Sequence, residues 1–438
     1  MTAEPLVADP GAIEQIAAAI RSGKTDPVAL VEASLRRIAT VEKDVQGWCL
    51  LDRERALADA QTLRQEAQAG RIRSPLHGMP VAIKDVLDVA GLPTRAGSKT
   101  RAGIAPSTID AHVVTLLKAA GAIVLGKAHT TEFAYFDGPP PTRNPHNVAH
   151  TPGGSSAGPA AVVASGMVPL SLGTQTAGSV SRPAAYCGIA AFKPSTLAWS
   201  TSGLVPFAPS FDTIGVFAHR VRDAVTAAGV LMPAFLRRSA TNAPSALTIG
   251  IVEDPITEAA SAAVAGSVRA AGEALAAASV RVKRLTSPVS FAEIAGWHKT
   301  IIEYEVAHAH PHLEHNPDVS AGLREAVARG RVITDAASLD AHAALGAARE
   351  RFWLATDEAN ALLFPAAPDV APAGMKTGDP RFIVPFTALG GPIVSIPVGT
   401  GADGMPLGVM LIGAPGRDSA TALVAERIAS VIELPRQP

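Results

Sequence analysis

Residues 78–84 read Gly-Met-Pro-Val-Ala-Ile-Lys, a short apolar run that a glycine and a proline open. The segment from Asp110 to Gly121 is amphipathic at helical spacing and ends on a glycine, and Ala122-Ile-Val-Leu125 follows it directly. A buried strand, an amphipathic helix and a second buried strand in this order are typical of an α/β protein. The pattern predicts a mixed β-sheet core flanked by helices on both faces.

The same alternation continues through the rest of the chain. Further strands are predicted at 246–252, 280–285, 361–364, 392–396 and 408–412, and further helices at 257–278, over most of 290–360 and at 419–432. Residues 11–70 are predicted to be helical, with Asp26 as an N-cap and Pro27 at the first helical position. Because no repeat or charge block divides the chain, we expect a single domain over residues 1–438 with an N-terminal helical segment over 11–70.

Composition excludes several classes of protein. Hydrophobic residues make up 47% and charged residues 18% of the 438 residues, which excludes a disordered chain. Lys and Arg number 38 and Asp and Glu 39, so the net charge of -1 argues against nucleic acid or acidic membranes as partners. The two cysteines, Cys49 and Cys187, fit no metal or redox spacing. With no signal peptide and no long apolar run, we expect a cytoplasmic protein without a membrane span.

Two features resemble phosphate or metal sites, and neither fits the chemistry. Residues 121–128 nearly match the phosphate-loop pattern GxxxxGK[ST], but Ala128 lacks the hydroxyl that would bind Mg²⁺ and the residues between the glycines are apolar. Four histidines cluster around Pro311: His308, His310, His312 and His315. They lack the spacing of zinc ligands, which favours a solvated helix end. No metal and no cofactor are therefore expected.

Residues 154–158, Gly-Ser-Ser-Ala-Gly, match the GxSxG nucleophile elbow of α/β-hydrolases, with Ser156 at its centre. That elbow needs a strand leading into it and a histidine late in the chain. Here residues 147–152 have the composition of a loop, and no histidine follows His342. The sequence therefore disfavours an elbow.

Residues 144–192 are rich in Gly, Ser, Ala and Pro and poor in charge. A linker would lack the apolar runs that occur inside this stretch, at 160–164, 168–172 and 189–192. Small residues within packed elements instead indicate that backbones approach closely. This segment is therefore expected to belong to the core.

Three segments in fixed order carry a more specific signal. They are Gly78-Met-Pro-Val-Ala-Ile-Lys-Asp85, Gly153-Gly-Ser-Ser-Ala-Gly158 and Gly173-Thr-Gln-Thr-Ala-Gly-Ser179, followed by Arg182-Pro-Ala184, Cys187-Gly188 and Phe192-Lys-Pro194. With these motifs the sequence resembles the amidase signature family of serine hydrolases, from about residue 20 to its end and most densely between 75 and 220. The resemblance implies the amidase signature fold.

The resemblance also implies a Ser-Ser-Lys triad. Ser179 would be the nucleophile that forms an acyl-enzyme, Ser155 in a cis peptide bond would bridge, and Lys84 would be the final base. A lysine accepts a proton only when neutral, so the pKa of Lys84 must lie well below about 10.4. Strand alternation puts Ala82 and Lys84 on one face and Asp85 on the other, so Lys84 need not pair with its acidic neighbour.

The family's oxyanion hole would be formed by backbone amides of Thr176, Ala177, Gly178 and Ser179. Ala177 and Ala157 stand where the family usually has glycine, and neither change removes a functional group. Gln175 and Ser181 stand where it usually has Asp and Arg, so a charge pair around the nucleophile is replaced by uncharged groups. This departure resembles the malonamidase-type branch, as do residues 144–147 (Asn-Pro-His-Asn) and 378–381 (Gly-Asp-Pro-Arg).

Arg182 follows the proposed nucleophile by three residues and has no obvious local acidic partner. A guanidinium near a closed site is costly unless it is paired, and a substrate carboxylate could pair with it in bidentate fashion. We therefore expect Arg182 to bind a carboxylate or a polar carbonyl of the substrate. The other candidates for substrate binding are Phe133, Tyr135 and Gly154, with residues 133–141, Trp199, Phe207, Phe211, Trp297 and Tyr304 as candidate lining of an apolar pocket.

The leading hypothesis is a cofactor-free amidohydrolase that cleaves C–N bonds of small amides through an acyl-enzyme on Ser179. Carbamates (urethanes), anilides and esters pass through a similar oxyanion, so their hydrolysis is an alternative. A second alternative is an amidotransferase A-type subunit working in a complex, against which the neutral charge weighs. A third is a pseudoenzyme used for binding, which the retention of all three triad residues disfavours. A homodimer is left open.

Overall fold

The computed structural model describes residues 4–232, 246–401 and 404–433. Its helices are α1 (Ile13–Arg21), α2 (Pro27–Val45), α3 (Arg53–Gln68), α4 (His112–Ala119), α5 (Ala157–Ala164), α6 (Ser181–Tyr186), α7 (Val221–Leu231), α8 (Ala262–Ala277), α9 (Phe291–Ala309), α10 (Ala321–Arg331), α11 (Asp335–Ala355), α12 (Val384–Ala388) and α13 (Asp418–Ile432). Its strands are β1 (Trp48–Leu51), β2 (Pro80–Lys84), β3 (Ile123–Ala128), β4 (Leu170–Gln175), β5 (Ala190–Lys193), β6 (Thr213–Ala218), β7 (Thr248–Glu253), β8 (Arg281–Thr286), β9 (Ala361–Pro365), β10 (Ile393–Thr400) and β11 (Pro406–Ile412).

Within the described residues these strands form one 11-stranded sheet in the order β1-β3-β2-β4-β6-β5-β10-β11-β9-β7-β8. Strand β2 pairs in parallel with β3 and β4, and β7 pairs in parallel with β8 and β9. The other pairs are antiparallel. The predicted class, an α/β fold around a mixed sheet, is confirmed.

Apolar side chains pack on both faces of the sheet. Val81 and Ile83 belong to one buried cluster and Ala82, between them, to another, because successive residues of a strand point to opposite faces. The first cluster takes in residues of α4, α7 and α9, and the second takes in residues of α2, α3, α5 and α6. Helices therefore cover both faces, and the glycine- and alanine-rich α5 lies against β2 and β4 in the second layer.

Helix α2 begins as predicted. Asp26 Oδ1 accepts hydrogen bonds from the amides of Val28, at 2.8 Å, and Ala29, at 3.0 Å, and Pro27 occupies the first helical position, where no amide donor is needed. The helix ends at Gln46, whose φ of 52° lies in the left-handed region.

Four strands were not predicted as strands: β1 and β6, and also β4 and β5, whose apolar runs at 168–172 and 189–192 were expected only to belong to the packed core. Strand β1 lies inside residues 11–70, so the expectation of a wholly helical N-terminal segment was wrong there. It pairs with β3 at the edge of the sheet. The four residues of β1 are too few to show a repeating pattern of apolar side chains, so this long-range pairing decides their structure. Strand β6 is fully buried between β4 and β5. In the described part of the chain, none of the helices is long and apolar enough to cross a membrane.

Candidate active site

Lys84 is the last residue of β2, and its side chain is fully buried. Its Nζ donates hydrogen bonds to Ser155 Oγ at 2.7 Å and to Thr174 Oγ1 at 2.8 Å. Thr174 lies in β4, the parallel neighbour of β2, so both residues come from the carboxyl ends of adjacent parallel strands. Ligand sites of open α/β sheets lie at such ends.

Burial lowers the pKa of Lys84 well below its usual value of 10.5, because an ammonium loses its hydration in the interior. The charge of Asp212 opposes this shift only in part. Asp85, the next residue along the chain, is paired elsewhere, with its Oδ1 at 2.8 Å from Lys127 Nζ. The site therefore favours the neutral amine of Lys84.

Ser155 lies in a loop that approaches other backbone closely. Gly153 has a φ of 82°, which side chains rarely tolerate, and a Cβ on Gly154 would lie 2.6 Å from Thr377 Cγ2. The peptide bond between Gly154 and Ser155 is cis. The next residue, Ser156, precedes α5 and ties this loop to β4, since its Oγ donates to Thr174 O at 3.1 Å and accepts from Thr174 N at 3.2 Å.

The loop that carries Ser179 is held by its carbonyl groups. His298 Nε2 lies 2.8 Å from Thr176 O, and Thr387 Oγ1 donates to Ala177 O at 2.6 Å. Burial lowers the pKa of His298 to about 4, so its ring is neutral at pH 7 and donates through Nε2 to the carbonyl. In the described structure the amides of Ala177, Gly178 and Ser179 have no hydrogen-bond acceptor. They are therefore available to a developing oxyanion.

The side chain of Thr176 is fixed as well. Its Oγ1 donates to Asp212 Oδ1 at 2.5 Å, and Asp212 Oδ2 accepts from the amides of Phe207, at 2.8 Å, and Ala208, at 3.1 Å. Burial raises the pKa of Asp212, although these three hydrogen bonds favour its charged form. Asp212 and His298 thus hold Thr176 from two sides.

Gln175 forms an uncharged bracket around the loop of Ser179. Its Oε1 accepts from the amides of Val180, at 2.8 Å, and Ser181, at 2.9 Å, directly after Ser179. Its Nε2 donates to Thr387 Oγ1 at 2.9 Å. An amide serves at this position because it both accepts and donates hydrogen bonds.

Arg182 is fully buried in α6. Its Nη2 donates to Gly154 O at 2.6 Å, while Nε and Nη1 have no hydrogen-bond partner in the described structure. Burial lowers the pKa of Arg182 to about 10, and the charge of Asp379 nearby opposes that shift. Asp379 is itself paired with Arg381, at 2.5 Å. A buried guanidinium with two unpartnered nitrogens thus lies beside the cis peptide of Ser155.

The aromatic candidates have different surroundings. Tyr135 and Phe207 face each other, with ring centroids 5.7 Å apart, and line a cavity together with Phe136. Phe133 is buried against His310, with ring centroids 4.8 Å apart, and is part of the core. The remaining candidates are placed as follows: Phe211 packs on His298, Trp199 and Trp297 join or flank the core, and Tyr304 packs on His308.

The four histidines do not converge. His310 Nε2 contacts Pro206 O at 2.6 Å, His308 Nδ1 contacts Tyr304 O at 2.8 Å, and His315 lies 3.8 Å from Glu314. Over residues 4–232, 246–401 and 404–433, no group of three or more His, Cys, Asp or Glu side chains could hold a metal ion.

The structure also shows what the near-matches to a phosphate loop and to a nucleophile elbow form. Residues 123–128 of the near-match to a phosphate loop form strand β3. The residues before Ser156 form a loop rather than a strand. Cys187 is fully buried, and burial raises the pKa values of both cysteine thiols.

Sequence reasoning missed Thr174, Asp212, His298 and Thr387. Asp212 gave a signal, since it is a lone acid directly before the apolar strand β6. His298 and Thr387 gave none, because a single polar residue within a helix is more often an ordinary structural residue.

A comparison with known protein families matches residues 29–422 to the family described as Amidase. This chain belongs to the amidase family. The A subunit of the glutamyl-tRNA(Gln) amidotransferase of Salinispora arenicola is 30% identical to it over 95% of this chain and 96% of that protein. A crystal structure of an amidase is 30% identical, with a TM-score of 0.86 over 96% of this chain and all of that one (100%).

A second solved structure has a TM-score of 0.87 and is 28% identical over 97% of this chain and 100% of its own. It comes from a protein complex described as revealing the evolutionary origins of an s-triazine catabolic enzyme. The amidase fold expected from the sequence is thus confirmed, and this amidase is an enzyme that acts on amide bonds.

Proposed function

We propose that this amidase hydrolyses small amides through an acyl-enzyme on Ser179, with Ser155 and Lys84 relaying the proton. The observation that carries the proposal is the 2.7 Å hydrogen bond between Lys84 Nζ and Ser155 Oγ in a site that favours the neutral amine. A neutral lysine in contact with a serine can take that serine's proton, which a surface lysine cannot do at pH 7.

The proposed reaction has two halves. Ser179 Oγ attacks the carbonyl carbon while its proton passes to Ser155 Oγ, whose own proton passes to Lys84 Nζ. Collapse of the tetrahedral intermediate breaks the C–N bond, and the proton returns along the same path to the leaving amine or ammonia. Water then attacks the acyl-enzyme, losing its proton to the relay, and the acid and free Ser179 are formed.

The backbone amides of Thr176, Ala177, Gly178 and Ser179 are the proposed oxyanion hole. With carbonyls 176 and 177 held by His298 and Thr387, the loop need not reorganise when charge develops. Preorganised donors of this kind lower the barrier most when water is excluded.

Arg182 supports a finer assignment, a small amide that also carries a carboxylate. Two of its three guanidinium nitrogens lack partners although the side chain is fully buried, and the local carboxylate of Asp379 is paired with Arg381. A substrate carboxylate would satisfy one of these nitrogens, and it could bind in bidentate fashion if it also accepts the second N–H of Nη2. The Gly154 backbone, which Arg182 contacts, would then help to orient the substrate.

The proposal is tested by purifying the lone chain and measuring ammonia or amine release from small amides, carbamates and esters of matched size. A fluorophosphonate should label Ser179, as read by mass spectrometry of the digested protein. Ser179→Ala should lose the label and lower turnover by several orders of magnitude with the fold intact, because residues of a triad act as a unit. Labelling of Ser156, or an active Ser179→Ala variant, would overturn the assignment.

A second candidate function, as one component of an amidotransferase complex, is favoured by the name of the Salinispora arenicola relative, which is the A subunit of a glutamyl-tRNA(Gln) amidotransferase. It predicts that the lone chain hydrolyses amides poorly and that partner proteins raise its rate. Efficient turnover by the lone chain of amides other than glutamine would reject this role.

A further inference from the structure

A cavity of about 240 Å³ lies between α9, α10 and the segment that contains Tyr135 and Phe136. We call it the aromatic cavity, lined on its apolar side by Tyr135, Phe136, Phe207, Ile302, Val306 and Ala326. A benzene ring fits an apolar cavity of about 150 Å³. The aromatic cavity is therefore large enough for one ring or a short branched chain, and too small for a whole drug-sized ligand.

The polar groups of this cavity are already paired with one another. Glu303 Oε1 lies 2.8 Å from Arg329 Nε, and the positive charge of Arg329 acts on the nearby Tyr135 hydroxyl. Burial raises the pKa of Tyr135, so its hydroxyl stays neutral at pH 7. Lys299 is the remaining charged residue of the lining and is exposed. A bound group would therefore be stabilised by apolar contacts, and the cavity offers no unpaired buried charge that would favour a charged group.

Two hydrogen-bonded connections and one packing contact link the walls of the aromatic cavity to the loops of Ser155 and Ser179. The amide of Phe207 donates to Asp212, which binds Thr176, and α9 supplies both Ile302 of the cavity and His298, which also binds Thr176. On the other wall, Thr377 Oγ1 donates to Phe136 O at 3.4 Å, and a Cβ on Gly154 would touch the Thr377 side chain. Residues that line the cavity are therefore connected, through one or two intervening residues, to the loops of both Ser155 and Ser179.

We propose that the aromatic cavity binds a neutral apolar substituent of the amide substrate, an aromatic ring or a branched alkyl group. This inference rests on the proposed hydrolase and names the group that would distinguish a good substrate from a simple amide. Phe136, whose side chain is about a third exposed (36%), lies at the edge of the cavity, where a ring can enter without opening the core.

Two variants of opposite sense test the cavity. Ala326→Leu fills it and Ile302→Ala enlarges it, and both are measured in the inert Ser179→Ala background by calorimetry. The probes are acetamide, which has no large substituent, acetanilide, with a ring on the amine side, and benzamide, with a ring on the acyl side. A change of one to three carbons in an apolar pocket alters discrimination by about tenfold or more. We expect Ala326→Leu to weaken the binding of one ring-bearing amide by about that factor, relative to acetamide.

The enlarged variant gives the reciprocal readout. Of acetanilide and benzamide, one binds wild type better. Ile302→Ala should shift the binding preference from that amide toward its larger naphthyl or tert-butylphenyl analogues. A mere loss of stability cannot produce such a shift. If the affinity for acetanilide changes, the amine side of the scissile bond enters the cavity. If the affinity for benzamide changes, the acyl side does.

A second groove provides matched controls, since Ala33 and Leu30 line a groove of about 250 Å³ between α2 and the N-terminal segment. Ala33→Leu and Leu30→Ala should leave all affinities unchanged. The proposal would be overturned if the cavity variants changed the affinity for every amide equally. It would also be overturned if Ala33→Leu and Leu30→Ala changed the ratios of affinities among the amides as the cavity variants do. Binding is measured without turnover, so the two proposals can fail separately. If the cavity variants change the affinities as expected but the wild-type chain hydrolyses no amide, the proposed hydrolase is rejected and the proposed binding role of the cavity stands.

Discussion

The carboxylate of Asp85 pairs with the ammonium of Lys127 at 2.8 Å, both side chains lying in the interior. Asp85 is the next residue after Lys84, and a free carboxylate there would stabilise the ammonium form of the proposed base. The pairing with Lys127, on the neighbouring strand β3, removes most of that influence. Lys127, which lies in the near-match to a phosphate loop at residues 121–128, thus has a structural role rather than a phosphate-binding one.

Removing Lys127 should destabilise the fold. Lys127→Met leaves the Asp85 carboxylate buried and unpaired, and breaking a buried ion pair in this way costs about 3–5 kcal/mol. Urea unfolding measures the loss. Asp85→Asn combined with Lys127→Met should recover part of it, because no uncompensated charge remains. Stability equal to wild type in Lys127→Met would show that the pair contributes nothing.

The proposed base predicts the direction of the pH dependence. Burial lowers the pKa of Lys84 well below 10.5, and protonation destroys the base, so kcat/KM should rise with pH through the pKa of Lys84 and then level off. In Lys84→Ala the residual activity should have lost this acid limb. An unchanged pH profile in that variant would mean that another group is the base.

Lys193 should make the stability pH-dependent without affecting catalysis directly. Burial lowers its pKa to about 7, below the unfolded value of 10.5, and its Nζ donates to Pro194 O and Gly391 O. Between these two pKa values the unfolded chain binds more protons, so the free energy of unfolding should rise with pH from about 7 to 10.5. Denaturant titrations at several pH values should show a smaller rise in Lys193→Met than in wild type. Parallel curves for the two proteins would contradict this assignment.

The hydrogen-bonded bracket around the loop of the proposed nucleophile, Ser179, predicts an effect on kcat. Thr387 Oγ1 links Gln175 to Ala177 O, so Thr387→Val removes both hydrogen bonds while keeping the side-chain shape. If the loop then loosens, the oxyanion donors are less well placed, and kcat should fall by roughly 10-fold to 100-fold, short of the loss of a whole donor. Steady-state kinetics should place the effect in kcat more than in KM. Thr387→Ser, which retains the hydroxyl, should be close to wild type, and equal losses in both variants would indicate a packing effect only.

The sequence predicted the parts of the site that lie within short segments. The strand ending at Lys84 and the glycine-rich loops around Ser155 and Ser179 follow from local pattern and from the family resemblance. The contacts that fix Thr176 do not, since Asp212 lies 36 residues and His298 122 residues away in the chain. Such contacts depend on the packing of α9 against the loop, which no local period encodes. Strand β1 escaped prediction for the same reason, because its pairing with β3 is long-range.

Arg182 gives the sharpest test of substrate class. Its Nη2 donates to Gly154 O, so Arg182→Ala should perturb the loop of Ser155 for every substrate, and this common loss is measured with a neutral amide. A monoamide of a dicarboxylic acid adds a carboxylate that would accept from one of the unpartnered nitrogens, Nε or Nη1. For this acid amide we expect a further selective loss of about 2 kcal/mol or more in kcat/KM, the cost of removing one partner of a buried charge pair. The methyl ester of the same monoamide is the uncharged control, one methyl group longer than the acid. Ammonia release is measured for it so that cleavage of the ester itself does not contribute, and its loss should equal that of the neutral amide. Equal losses for acid and ester would leave Arg182 as a support of the cis-peptide loop and would remove the carboxylate from the proposed substrate.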